Sequence, residues 1–138
     1  MTKITSVSTI MRVVLGVIFL AHGITKLQMG LGNVEAWFSS IGVPGFLGYI
    51  VAVIEVVGGI LLIAGLLTRL VSGLNVILMV GAIVSVKLSA GLLGNDQMPG
   101  YELEIALMLL SLYLVVAEAS PLSIDHVIRS KRSVSIQN

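Results

Sequence analysis

Apolar residues occur along the chain in four long runs, separated by short polar or turn-forming stretches. Each run is about 20 residues long, the length that an α-helix needs to cross the hydrocarbon core of a bilayer. The pattern therefore predicts a single domain over residues 1–138 with four membrane-spanning helices and a polar, basic tail. The predicted spans are approximately residues 8–29, 45–67, 69–91 and 101–119, and the tail covers residues 121–138.

The first connection has an amphipathic pattern of its own. From Val34 to Ile41, apolar side chains recur at the spacing of one helical face. Asn33 is a suitable N-cap, and Gly42 is a suitable stop. We expect a short helix on the outer membrane surface, either an anchor or a functional lid, with Trp37 at headgroup level. The predicted fold is all-α: a transmembrane four-helix bundle with a short interfacial helix in the first outer loop.

Composition agrees with a chain whose solvent is membrane lipid. The 138 residues are 57% hydrophobic and 11% charged, whereas charged residues make up about 25% of a soluble protein. The mean hydropathy is +1.08. A net charge of only +1 provides no basic surface for nucleic acid, so no nucleic-acid partner is expected.

Basic residues outside the predicted spans indicate the orientation. The first and third connections contain no Lys or Arg, and basic residues at the inner ends of the spans collect on the side that holds both termini. Because positive charge marks the cytoplasmic side, we expect a multi-pass protein of the cell membrane with cytoplasmic N- and C-termini. The basic residues on this side are Lys3, Arg12, Arg69, Arg129, Lys131 and Arg132.

Antiparallel folding of the spans would bring several ionisable side chains to one depth, in the outer half of the bundle. A charge at bilayer depth costs about 2.5–3.5 kcal/mol on insertion scales unless it is paired or hydrated. These side chains carry both signs, so they can balance one another. They are His22, Lys26, Glu55, Lys87 and one or both of Glu102 and Glu104.

Four of these residues also have a structural alternative. Lys26 and Lys87 lie near the predicted surface, where long side chains can extend to water. Glu102 and Glu104 are separated by about 200° on a helix, so both cannot face inward, and either can interact with a helix N-terminus. Glu55 lies near mid-bilayer and must be paired, protonated or hydrated, so it is the strongest candidate for a site.

Some chemistry is excluded by residue type. The chain has no cysteine, which removes thiol redox chemistry, iron–sulfur clusters and cysteine-ligated metals. No G-x-G-x-x-G nucleotide motif occurs, and His22 is the one histidine in the predicted spans, so a bis-histidine haem cannot form within one chain. No metal site is expected. A redox role would require a diffusible carrier or a redox partner protein.

Six short motifs occur in order between His22 and Asp125, within a resemblance that covers nearly the whole chain, from Arg12 to Asp125. They are HGITKL at His22–Leu27, GVPG at Gly42–Gly45, E-x-x-G-G at Glu55–Gly59, GLLTR at Gly65–Arg69, YEL at Tyr101–Leu103 and SID at Ser123–Asp125. In this order and spacing the chain resembles the DoxX family.

The resemblance implies a small four-span membrane protein associated with redox metabolism. DoxX-like proteins resemble the small subunits of thiosulfate:quinone oxidoreductase, and some are linked to oxidative-stress complexes or to catechol and quinone detoxification. Carried over by motif, the polar positions of the family fall on His22, Lys26, Glu55 and Glu102 of this chain.

We therefore expect an oxidoreductase or redox-complex subunit that binds a quinone or another small aromatic molecule in an outer polar pocket. His22 or Lys26 would donate a hydrogen bond to a quinone oxygen, and Glu55 would accept or relay a proton. The alternatives are a non-enzymatic scaffold subunit and a small transporter coupled to protons through Glu55. The candidate catalytic residues are His22, Lys26 and Glu55, and the candidate substrate-binding residues are Lys87, Glu102 and Trp37.

Overall fold

The computed structural model describes residues 3–96, 99–117 and 121–137, and it leaves out the side chains of Lys87 and Ser89. The described residues form six α-helices and no strand, so the all-α prediction is confirmed. The helices are α1 (Lys3–Met29), α2 (Leu31–Ser40), α3 (Leu47–Ala64), α4 (Thr68–Ala82), α5 (Glu102–Val116) and α6 (Ile124–Gln137).

Three helical segments within the described residues are long and apolar enough to cross a membrane: Lys3–Met29, Leu47–Ala64 and Thr68–Val86. The last of these includes α4 and most of the π-helical turn that follows it, Ile83–Lys87. Helix α5 packs beside α4 and has 15 residues, a length of about 22 Å. The chain is an all-α membrane bundle, and a fourth crossing by α5 stays a prediction.

Helices α1 and α3 are in backbone contact through glycines. A Cβ atom added to Gly23 would lie 2.5 Å from Val56 Cγ2 and 2.8 Å from Val56 N. A Cβ atom added to Gly16 would lie 2.8 Å from the Gly59 carbonyl oxygen. Small residues let membrane helices approach this closely. The contact fixes the register of the two helices and brings the last turns of α1 beside the middle of α3.

The short helix of the first connection is present, but it begins earlier than predicted. Gly30 has a φ of 90°, a backbone conformation that favours glycine, and this residue separates α1 from α2. Asn33 is therefore inside the helix, and its Nδ2 donates a hydrogen bond to the Met29 carbonyl oxygen at 2.6 Å. The expectation that Asn33 caps the helix is wrong, because Gly30 already turns the chain.

One face of α2 packs on the bundle. Val34 and Phe38 are buried, with 1% and 9% of their surface exposed. Val34 lies over the start of α3, where a Cβ atom added to Gly48 would be 3.0 Å from Val34 Cγ1. Trp37, which directly precedes Phe38, is 45% exposed. The amphipathic pattern in the sequence thus predicted this helix correctly.

The sequence pattern predicts only a polar tail after residue 121, whereas the structure forms α6 there. Ser123 begins the helix, since its Oγ accepts a hydrogen bond from His126 N at 3.2 Å. The Asp125 carboxylate accepts hydrogen bonds from Leu67 N at 2.8 Å and Thr68 N at 3.0 Å, where α4 begins. Helix α6 is therefore tied to the turn between α3 and α4.

The bundle has two distinct ends. The last turns of α1 lie together with α2 and the start of α3, and we call this the His22 end. The first part of α1 lies together with the α3–α4 turn and α6, and we call this the Arg12 end.

Candidate functional site

A cavity of about 500 Å³ lies at the His22 end, between α1 and α2. Its volume falls within the range of about 300–1,000 Å³ that is typical of small-molecule sites. Three of the residues predicted from the sequence, His22, Lys26 and Trp37, line it together. The complete lining is Ala21, His22, Thr25, Lys26, Met29, Val34 and Trp37.

Lys26 is held by a carboxylate on the neighbouring helix. Its Nζ donates to Glu55 Oε2 at 2.7 Å, and the two side chains are 18% and 6% exposed. A charge-assisted hydrogen bond this short, with most water excluded, fixes the position of the ammonium group. The ammonium carries three N–H donors, so pairing with Glu55 leaves others for a ligand.

Glu55 itself does not line the cavity. It lies behind Lys26, with 5% of its surface exposed, so its contact with a ligand would pass through the lysine. From its sequence position Glu55 is expected to accept or relay a proton. The geometry favours a different role, in which Glu55 positions and balances Lys26.

The ring orientation of His22 follows from its contact with the backbone. His22 Nδ1 lies 2.8 Å from the Ile18 carbonyl oxygen. Because a carbonyl can only accept, Nδ1 carries the hydrogen, and Nε2 is the nitrogen that a ligand can address. A neutral His22 in this tautomer accepts a hydrogen bond through Nε2, and only the imidazolium donates one there. The predicted donation from His22 to a quinone oxygen thus requires the protonated ring.

Trp37 provides an aromatic wall for the cavity. Its ring meets the ring of Phe38 edge to face, with centroids 5.4 Å apart and an interplanar angle of 68°. Phe38 is buried, so this contact supports one side of the indole while the exposed side remains available. Tryptophan in such a position offers a large flat surface at low entropic cost.

The other predicted residues lie elsewhere. Glu102 is exposed and does not line the cavity, whereas Glu104, two positions along α5, is 8% exposed. The structure therefore places Glu104 inside the bundle, which the sequence alone left open. Lys87 belongs to the π-helical turn, and its side chain lies outside the described residues.

Ala21, Thr25 and Met29 line the cavity but were not predicted as site residues. They recur every fourth position, beside His22 and Lys26, on one face of α1. Thr25 is further tied to the helix, since its Oγ1 donates to the Ala21 carbonyl oxygen at 2.9 Å. The helical spacing around His22 was the signal that could have identified them.

The amino-acid sequence matches a known protein family. The sequence profile of the DoxX family matches residues 7–88, a range that contains the cavity lining and Glu55. The chain belongs to the DoxX family, as the motifs in the sequence indicated.

Two relatives support the assignment. Over 116 residues the chain is 39% identical to "Putative oxidoreductase CatD" of Bacillus subtilis (strain 168), covering 84% of this chain and 82% of that protein. Over 85 residues it is 41% identical to "Uncharacterized membrane protein Rv3486" of Mycobacterium tuberculosis (strain ATCC 25618 / H37Rv), covering 57% of this chain and 50% of that protein. No solved structure matches the chain.

Proposed function

We propose that the protein is a membrane oxidoreductase, or a subunit of a redox complex, that binds a quinone or catechol-type aromatic molecule at the His22 end. The observation that carries the proposal is the shared cavity of His22, Lys26 and Trp37. The oxidoreductase name of the Bacillus subtilis relative agrees with it. The apolar surroundings at this end suit a ligand that partitions from the bilayer.

The side chains that line the cavity would contact the ring, the hydroxyl groups and the carbonyl groups of such a ligand. The aromatic ring would stack on the exposed face of Trp37. A hydroxyl of the reduced form would donate to His22 Nε2, which accepts when the imidazole is neutral. A carbonyl of the oxidised form would accept from Lys26 Nζ, which Glu55 holds in place at 2.7 Å. The reduced and oxidised forms would thus address different side chains of one cavity.

Proton transfer would fall to His22. Oxidation of a catechol or hydroquinone to its quinone releases two protons and two electrons. His22 Nε2 is placed to take one of these protons from a bound hydroxyl, as a general base does, and the second proton would pass to solvent. The electrons would pass to a redox partner protein or a diffusible carrier, since the chain has no cysteine to build a thiol or iron–sulfur centre.

Trp37 offers a direct test, because it is the single tryptophan of the chain. Purified protein in detergent is titrated with a short-chain benzoquinone while tryptophan fluorescence is recorded. We expect saturable quenching, since a quinone stacked on the indole accepts its excitation. His22 Nε2 would accept one hydrogen bond from a hydroxyl of the reduced form, so His22→Phe should weaken the binding of a catechol, titrated in the same way, by about tenfold.

The control is His126→Phe, which changes the second histidine, on α6 at the Arg12 end. This variant should bind like the unmutated protein. Quenching that never saturates and is equal in all three proteins would show collisional contact without a site, and would contradict the proposal.

A second candidate, a non-enzymatic scaffold subunit of a redox complex, is favoured by the Lys26–Glu55 ion pair. A pair with little exposure can hold two membrane helices together without any ligand. The same titration separates the candidates. A folded, unmutated protein with no saturable quenching by either benzoquinone or catechol supports the scaffold.

A further inference from the structure

A second cavity, of about 370 Å³, lies at the Arg12 end, among α1, the α3–α4 turn and α6. Four arginines line it: Arg12, Arg69, Arg129 and Arg132. Among the described residues of the lining, Asp125 is the one carboxylate. The cavity is thus a concentrated positive site in a chain whose net charge is only +1.

The carboxylate of Asp125 already accepts hydrogen bonds from two backbone amides. Its Oδ1 accepts from Leu67 N and its Oδ2 from Thr68 N, the amides that begin α4. Glu118, which is close in sequence, lies outside the described residues. Among the described residues of the lining, four guanidinium groups therefore outnumber one carboxylate, so the site has cationic charge to offer an anion.

Two of the arginines are anchored by carbonyl groups. Arg12 is 4% exposed, and its Nη2 donates to the Leu122 carbonyl oxygen at 3.0 Å. Arg69 Nη2 donates to the Ala117 carbonyl oxygen at 3.4 Å. A guanidinium has five N–H donors, so these bonds orient each group and leave donors for a ligand. Arginines held in this way lose less entropy when they bind a phosphate.

Helix α6 has a pattern of exposed apolar and basic residues that would suit a position at the level of lipid headgroups. Arg129 and Arg132, three positions apart, share the face that lines the cavity. Ile124, Val127 and Val134 lie on another side of the helix and are 42%, 48% and 60% exposed. A helix with an exposed apolar side and a basic side lies in the membrane interface. In that position the cavity would open at the bilayer surface, where it could meet a lipid headgroup.

We propose that this cavity binds the phosphate of an acidic phospholipid. Arg129 and Arg132 of α6, together with the anchored Arg12 and Arg69, would hold the phosphate oxygens, as guanidinium groups do in paired geometry, while the acyl chains would follow the exposed apolar surface of the bundle. The bound lipid would join α6 to the start of α4, beside the contact that Asp125 makes.

The test is native mass spectrometry of the protein released from detergent with phosphatidylglycerol or phosphatidylcholine. We expect one tightly retained phosphatidylglycerol and no retained phosphatidylcholine. In the Arg129→Gln/Arg132→Gln variant, phosphatidylglycerol affinity should fall about fivefold for each arginine, and about 25-fold in total. Both arginines are exposed, and circular dichroism verifies the fold. If the double variant does not fold, each single variant provides the same comparison at fivefold.

The matched control is Lys131→Gln, a charge on the same helix that does not line the cavity. It should retain phosphatidylglycerol like the unmutated protein. An equal loss in this control, or equal retention of the two lipids, would overturn the proposal. Displacement of phosphatidylglycerol by inorganic phosphate at a similar concentration would also overturn it, since the ligand would then be free phosphate.

Discussion

Lys26 Nζ and Glu55 Oε2 lie 2.7 Å apart across the contact between α1 and α3. The pair connects the cavity at the His22 end to the interior of the bundle, because Lys26 lines the cavity and Glu55 lies behind it. The contact between Gly23 of α1 and Val56 of α3 positions this ion pair. Gly23 lies one turn before Lys26, and Val56 follows Glu55 directly. The interhelical contact therefore holds α1 against α3, and the proposed ligand site would depend on the same contact.

The pair predicts a strong energetic coupling. Lys26→Met leaves the Glu55 carboxylate buried without its cation, which should cost about 3 kcal/mol of unfolding free energy. Glu55→Gln should cost less, about 1–2 kcal/mol, because Lys26 retains 18% exposure and some hydration. The double variant removes both charges and should be more stable than the sum of the single costs predicts, by at least about 1 kcal/mol. Unfolding in detergent measures all three variants. Strict additivity would show that the two side chains do not interact.

The close contact of α1 and α3 predicts that Gly23→Ala is destabilising. The added Cβ would lie 2.5 Å from Val56 Cγ2 and 2.8 Å from Val56 N, so the helices must separate, at a cost of about 1–3 kcal/mol. Gly81→Ala in α4 is the control, because nothing lies within 4 Å of its Cβ position. There the better helix propensity of alanine should be neutral or stabilising by up to about 1 kcal/mol. Equal thermal stability of the two variants would contradict the contact.

Burial predicts different roles for the two glutamates that begin α5. Glu104 is 8% exposed, so Glu104→Ala removes packed atoms and a buried polar group, and should cost about 2 kcal/mol. Glu102 is exposed, and Glu102→Ala should cost less than about 1 kcal/mol, the usual size of a helix-terminus interaction. Thermal unfolding of the two variants compares them on one helix. A larger loss for Glu102→Ala would reverse the assignment of the inward face.

Periodicity and charge balance predicted a large part of this molecule. The apolar runs gave the membrane bundle, and the amphipathic face from Val34 to Ile41 gave α2. The sequence also predicted that Lys26 and Glu55 lie at a similar depth in the membrane. An α-helix rises by a fixed distance per residue, so the position of a residue along its span gives its depth. These features depend on local pattern, which a single sequence contains.

Other features depend on contacts between distant parts of the chain. In helix α6, Asp125 accepts a hydrogen bond from the amide of Leu67, which is 58 positions away in the sequence. No local pattern in the tail predicts that contact. The choice between Glu102 and Glu104 depends on the rotation of α5 against α4, which spacing leaves open. The start of α2 was misplaced at Asn33 because Gly30, with its positive φ, already separates α1 from α2, and the sequence pattern does not show that φ.

The last prediction concerns which side of the membrane each end faces. Basic residues avoid the first and third connections, so the His22 end should face outward and the Arg12 end the cytoplasm. Cysteines introduced at Asn33 and Asn95 should react with an impermeant thiol reagent in intact cells, and a cysteine at Ser133 should react only after lysis. All three positions are exposed, and the chain has no cysteine of its own to give background labelling. Labelling of Ser133→Cys alone would invert the orientation. The arginine-lined cavity would then meet the outer leaflet, and a ligand would enter the His22 cavity from the cytoplasmic side.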